Sequence, residues 1–178
     1  MSVPTEVLRT HLAYTAWADD QLLSAVGQIP PEHLTHDFQT ADRSIIGTLA
    51  HVFAGDRIWL QRVLGEPYTG FISEEDRKLA TLQREWPIVL DRWQHWAAAL
   101  TDPSTLIHYH DLKGNPYSTA AWEIVLHVVN HGTHHRGQAS GFLRTLGHTP
   151  PQLDLIRFYR TMSLTTSPEI PVSRTSKP

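Results

Sequence analysis

The segment HVVNHGTHHRGQ, residues 127 to 138, holds His127, His131, His134 and His135 in a chain of twelve histidines and no cysteine. Imidazole nitrogen binds zinc, nickel, copper and iron alike, so the chemistry this pattern offers is metal binding without sulfur. On a helix each residue advances about 100°, and positions i, i+4 and i+8 place His127, His131 and His135 on one stripe. Two imidazoles one turn apart can reach a single ion. Three in succession cannot comfortably do so, because His127 and His135 are separated by about 12 Å of helical rise. His134 stands too close to His135 in the chain to share an ion easily with it. The pair taken is therefore His131 with His135, while His127 is left to orient a ligand from outside, to form a pocket wall or to face solvent.

A catalytic zinc-like site needs at least three protein ligands, and the third must come from another helix. His51 in GTLAHVFAG stands between Gly47 and Gly55, each one turn away. An interior helical glycine costs about 1 kcal/mol relative to alanine, so two of them around one imidazole point to space or close approach, which an open coordination position would use. Helix-to-helix packing explains the same glycines equally well, and spacing alone leaves a metal site and a hydrogen-bonded core both open. Other metal motifs are absent. No H-E-x-x-H occurs, because Gly132, Thr133 and His134 fill the interval between His131 and His135. Glu123 and His127 are four apart rather than three, which argues against a di-iron bundle. A bis-histidine haem has nothing positive in its favour.

These residues need helices to position them, and four stretches have helical periodicity between clear breaks. The first runs from about Pro4 to Val26, with Leu8, Leu12, Trp17, Leu22 and Val26 inward, and stops before Pro30-Pro31. Ser44 caps the second, which ends at Gly65. Ser73 and Asp76 form a capping box for a third, which Pro87 is expected to kink or divide before Leu100. TLIHYH, residues 105 to 110, alternates like a strand, and KGNPY after it is turn chemistry. Ser118 or Thr119 is expected to open the last long helix, ending near Leu146-Gly147. The predicted architecture is an all-α four-helix bundle over residues 1–160, with long links after the second and third helices as candidate crossovers. Residues 161–178 are expected to form a flexible tail or a docking arm.

With 178 residues the chain is read as one domain. A net charge of −3 gives no basic surface, so no nucleic acid partner is expected. No apolar run approaches the ~20 residues of a spanning helix and no secretion signal is evident, so a cytoplasmic protein without membrane contact is expected.

YTAWADDQLL, LAHVF, NHGTHHRGQ and LRTLGHTPPQLD together resemble the DinB family of the DinB/YfiT-like superfamily of metalloenzymes, over nearly the whole chain to Tyr159. The resemblance implies a four-helix bundle with one long crossover, often a homodimer, holding a divalent ion, usually zinc or nickel, on three histidines that match His51, His131 and His135. Relatives include thiol transferases using low-molecular-weight thiols, a thiol-dependent isomerase and many proteins of no known activity. Many relatives have asparagine where Thr15 and Asp19 stand here, so no pocket role is carried over to those positions.

Three neutral imidazoles would leave an ion its full charge and one open position for water or a thiol. Without a cysteine, a thiol nucleophile must be a bound small molecule. The leading reading is a thiol S-transferase-like enzyme acting on a small-molecule substrate. The alternatives are a metal-binding stress-response protein without turnover and a metal-dependent hydrolase of small molecules. Gln138, Tyr14 and Trp17 are candidate pocket walls, with core packing their more ordinary role. Arg136 is read as structural, tying its helix to the C-terminal segment through, for example, Asp154.

Overall fold

The computed structural model describes residues 3–67 and 70–166, with side chains as far as residue 163. Four long helices make the body: α1 (Thr5–Val26), α3 (Ile45–Leu64), α4 (Leu79–Ala99) and α5 (Ala121–Thr145), with a single turn, α2 (Pro31–Leu34), between the first two. The all-α class expected from periodicity is the one observed. A two-stranded antiparallel hairpin, β1 (Leu106–His110) and β2 (Pro116–Ala120), precedes α5, and α6 (Leu155–Thr166) follows it. Among the described residues no helix is long and apolar enough to cross a membrane.

Each long helix is amphipathic, and its apolar face explains where it sits. Leu8, Leu12, Leu22 and Val26 of α1 are buried together with Leu49, Phe53 and Leu60 of α3, Leu82, Trp86 and Trp93 of α4, and Ile124, Val125 and Leu143 of α5. Full burial of an aliphatic or phenylalanine side chain stabilises by about 1.5–3 kcal/mol, so this shared core outweighs helix propensity in holding the bundle. α1 packs beside α4 and α5, and α3 packs beside the same two, so α1 and α3 face each other across the bundle. The links that cross the bundle are those after α1 and after α4. The α3-to-α4 link, expected as a crossover, joins neighbours instead.

Several boundaries differ from those the sequence suggested. Ser73 and Asp76 do bond reciprocally, Ser73 N–H to Asp76 Oδ2 at 2.8 Å and Asp76 N–H to Ser73 Oγ at 3.2 Å. They brace a short 3-10 turn, Glu75–Arg77, which contains Asp76, and α4 starts only at Leu79. α4 then runs unbroken through Pro87, which is exposed. Gln83, whose carbonyl loses its N–H partner at Pro87, is an exposed residue, while Leu82, Trp86, Val89 and Trp93 hold both halves to the core. Ser118 and Thr119 lie in β2, bonded to His108 and Tyr109 across the hairpin. The N-cap of α5 is Ala120, whose N–H donates to the Glu123 carboxylate at 3.1 Å. Ser44 and Gly65 behave as expected: Ser44 Oγ accepts from Gly47 N–H at 3.1 Å, and Gly65 closes α3 in the left-handed conformation. α6 carries helix through Thr166, where a tail was expected beyond residue 160, because Phe158 is buried between Tyr14 and Trp17 of α1. The remainder of that expected tail, residues 167–178, lies outside the described residues.

Candidate metal centre

The contact between α3 and α5 brings His51, His131 and His135 together. One nitrogen of each lies within 4.8 Å of the others, and all three residues are half-buried. His51 Nε2 is 2.9 Å from His131 Nε2. Ring centroids are 4.9 Å apart for His51 and His131, and 4.6 Å for His135 with each of the other two.

Local sequence explains how rings from two helices approach so closely. A Cβ on Gly55 would stand 2.9 Å from His131 Cε1, so the missing side chain is the bed on which the His131 ring lies. A Cβ on Gly47 would stand 2.0 Å from the Asp42 carbonyl oxygen, so this glycine admits the loop before α3. The space that two glycines imply around His51 is therefore filled by a neighbouring ring and a neighbouring loop. That loop holds Gln39 and Arg43 at φ of 56° and 64°, the left-handed region that non-glycine residues rarely adopt. Phe38 anchors it by stacking on Phe142 of α5, with centroids 4.0 Å apart.

Burial favours the neutral form of His131 and His135. It pushes His131 down to about 3, with the nearby rings of His135 and His51 adding to the effect, and it lowers His135 from its ordinary value as well. Two protonated rings 4.6 Å apart would repel by roughly 3–4 kcal/mol at an effective dielectric near 20. Three nitrogen donors converging on one point fit a divalent ion.

The outer candidates separate cleanly. Gln138 Oε1 accepts from His135 Nδ1 at 3.2 Å. His127 keeps much of its surface in solvent but stacks beside His131 at 5.8 Å and meets Trp59 at 5.1 Å, and partial desolvation together with the charge of Arg62 lowers its pKa. Tyr14 and Trp17 pack on Phe158 of α6, and Tyr14 Oη donates to the Leu153 carbonyl at 2.8 Å, so they take the packing role. His134 is exposed with its ring against His135 at 4.8 Å. Arg136 is structural, but its partner is Asp19 at 3.0 Å and not Asp154, because one residue beyond His135 turns it about 100° toward α1.

Two neighbours of the trio escape sequence reading. Phe71 meets the His51 ring edge-on at 5.6 Å, on a loop fastened by Arg57, which bonds both Asp76 oxygens and the Phe71 carbonyl at 2.9 Å each. Asp42 places Oδ1 3.6 Å from His51 Nδ1 and Oδ2 3.7 Å from His135 Nδ1. The sequence signal for Asp42 was its place two residues before the Ser44 cap, opposite Gly47; Phe71 had none.

A helical bundle with three convergent imidazoles in the seam between two of its helices defines the class: an all-α protein with a histidine cluster that could hold a metal ion. The chain belongs to the DinB family, whose model matches residues 1–169. It is similar to Protein DinB of Bacillus subtilis (strain 168), with 25% identity over 150 residues, covering 79% of this chain and 87% of that protein.

Proposed function

We propose that the protein binds one divalent ion, zinc or nickel, through His51, His131 and His135, and activates a low-molecular-weight thiol for transfer to a small electrophilic substrate. The observation that carries this reading is the trio itself: three imidazole donors within 4.8 Å, half-buried rather than sealed, in a chain without a cysteine. A divalent ion held by three neutral ligands keeps its full charge and stabilises the deprotonated form of a thiol or a water bound beside it.

The chain's own residues supply the rest. Gly55 sets the His131 ring against α3, Gln138 holds the His135 Nδ1 edge, and Phe71 walls the site beside His51. Phe71 and the exposed His127 would face a substrate arriving at the seam. Family resemblance supports a homodimer as the working form.

Cobalt substitution tests the thiol step. Adding glutathione to the cobalt-loaded protein is expected to produce a near-ultraviolet sulfur-to-cobalt charge-transfer band, absent in His131→Ala. A cobalt-loaded protein that shows no such band with any small thiol, yet hydrolyses activated esters, would replace the transferase reading with the hydrolase.

A further inference from the structure

We infer that Asp42 is a positioning residue of the ion site: one carboxylate that holds the Nδ1 edges of both His51 and His135 and so commits both Nε2 lone pairs to the ion. The inference rests on the three-histidine reading above and adds a residue that reading does not contain.

Four observations converge on it. The two oxygens of Asp42 divide between the two rings, Oδ1 toward His51 Nδ1 at 3.6 Å and Oδ2 toward His135 Nδ1 at 3.7 Å. Both contacts involve Nδ1, while His51 turns Nε2 to His131 Nε2 at 2.9 Å, and Asp42 is not one of the residues whose donors converge, so the carboxylate stands outside the trio and not among its donors. The backbone is shaped to bring it there. Gly47 is the position where a side chain would strike the Asp42 carbonyl at 2.0 Å, and Ser44 N–H holds that carbonyl at 2.7 Å. Arg43, the next residue, sits at φ 64° and turns away to pair with Asp37, which leaves the Asp42 carboxylate to the histidines.

The chemistry follows from imidazole tautomerism. A neutral ring carries one proton, and an acceptor at Nδ1 keeps that proton there, leaving Nε2 as a lone pair. A carboxylate acceptor also raises the basicity of the ligating nitrogen, and its charge offsets part of the ion's in a half-buried seam. Contacts a few tenths of an ångström long before binding tighten once the partner draws the rings into place. His135 has a second acceptor at the same atom, Gln138 Oε1 at 3.2 Å, whereas Asp42 is the acceptor that faces His51 Nδ1 among the described residues. The two rings should therefore respond unequally to loss of Asp42, His51 more than His135.

Asp42→Asn, nearly isosteric on a half-buried loop, provides the test. Two quantities are read on folded full-length protein: zinc affinity by competition with a chromophoric chelator, and the tautomer of each histidine by long-range proton–nitrogen-15 correlation in the metal-free state. Affinity is expected to fall about 10–100-fold with one zinc per chain retained. The metal-free wild type is expected to show Nδ1–H at both rings, and the variant a mixture at His51 with His135 largely kept. Gly47→Ala, which displaces the Asp42 backbone and leaves its charge in the chain, is expected to lower affinity in the same direction. Unchanged affinity with unchanged tautomers overturns the inference. So does complete loss of zinc, which would make Asp42 a direct ligand. A wild type that takes up no zinc overturns the three-histidine reading and this inference with it, and is recognised before any substitution is made.

Discussion

Neighbouring residues of α5 face two different polar clusters. His135 turns to the seam with α3, and Arg136 turns to a sealed cluster with Asp19 of α1 and Asp56 of α3. The sealed cluster contains its own cation. Arg136 bonds Asp19 at 3.0 Å, Trp86 Nε1 donates to Asp56 Oδ2 at 2.8 Å, and Trp93 Nε1 donates to the Asp56 carbonyl at 3.0 Å. Asp56 is pushed well above the carboxylate range by burial and by the nearby charge of Asp19, which favours its neutral form, so Asp19 and Arg136 balance each other's charge, while Asp19 Oδ2, Asp56 Oδ1 and Arg136 Nε have no hydrogen-bond partner among the described residues. The histidine cluster is half-open instead of sealed, and its three nitrogen donors could hold an ion. Buried polar groups are costly unless paired, and the difference marks the histidine cluster as the one of the two that could admit a cation from outside.

Breaking the sealed cluster should have the largest effect on the fold. Arg136→Met leaves Asp19 buried without its partner and is expected to cost about 3–5 kcal/mol in urea unfolding. Such a loss, with one ion still bound by the folded fraction, separates the two clusters. Completing the open one should act next: zinc at 1,000 times its Kd is expected to stabilise wild type by about 4 kcal/mol, read as a shift in Tm. His131→Ala should abolish that shift.

Asp56→Asn sharpens the contrast through pH. The folded-state pKa of Asp56 lies above the ordinary 3.8, so the folded protein keeps a proton that the unfolded chain releases. That contribution to stability is complete below the unfolded value and is lost as pH rises toward the folded one. Asparagine keeps an acceptor for Trp86 and removes the titration. The variant is expected to gain on wild type progressively as pH rises above the ordinary carboxylate value of 3.8. Urea unfolding at several pH values reads this directly. A parallel pH dependence in the two proteins would mean that Asp56 is ionised in the fold. The smallest effect belongs to His127→Ala, whose exposed ring should leave stability within about 0.5 kcal/mol and the ion count unchanged.

The two clusters also differ in how far they can be read from sequence. The histidine pair was legible because i, i+4 spacing is a property of one helix, and His51 because two glycines flanked it. Asp42 was not, since a loop residue's partners depend on how the loop returns over α3. Arg136 showed as structural, but its partner lay 117 residues away, and a nearer carboxylate was the natural guess. The same limit applies to the fold. Helix extents came close to those observed, because periodicity and caps are local. The order of helices around the core is a matter of which apolar faces meet, and it placed a bundle crossing after α1 instead of after α3. Pro87 was expected to kink or divide its helix, and the division did not occur, because tertiary packing on both sides overrode a local signal.

The central claim is that His51, His131 and His135, and not His127, hold an ion. The most direct measurement is elemental analysis and zinc titration of protein purified without an affinity tag or added metal, on wild type and four single alanine variants. One ion per chain in wild type and His127→Ala, with none in His51→Ala, His131→Ala or His135→Ala, is the expected result. A wild type that neither carries nor takes up a divalent ion would contradict the account and leave the trio as a neutral packing contact between α3 and α5.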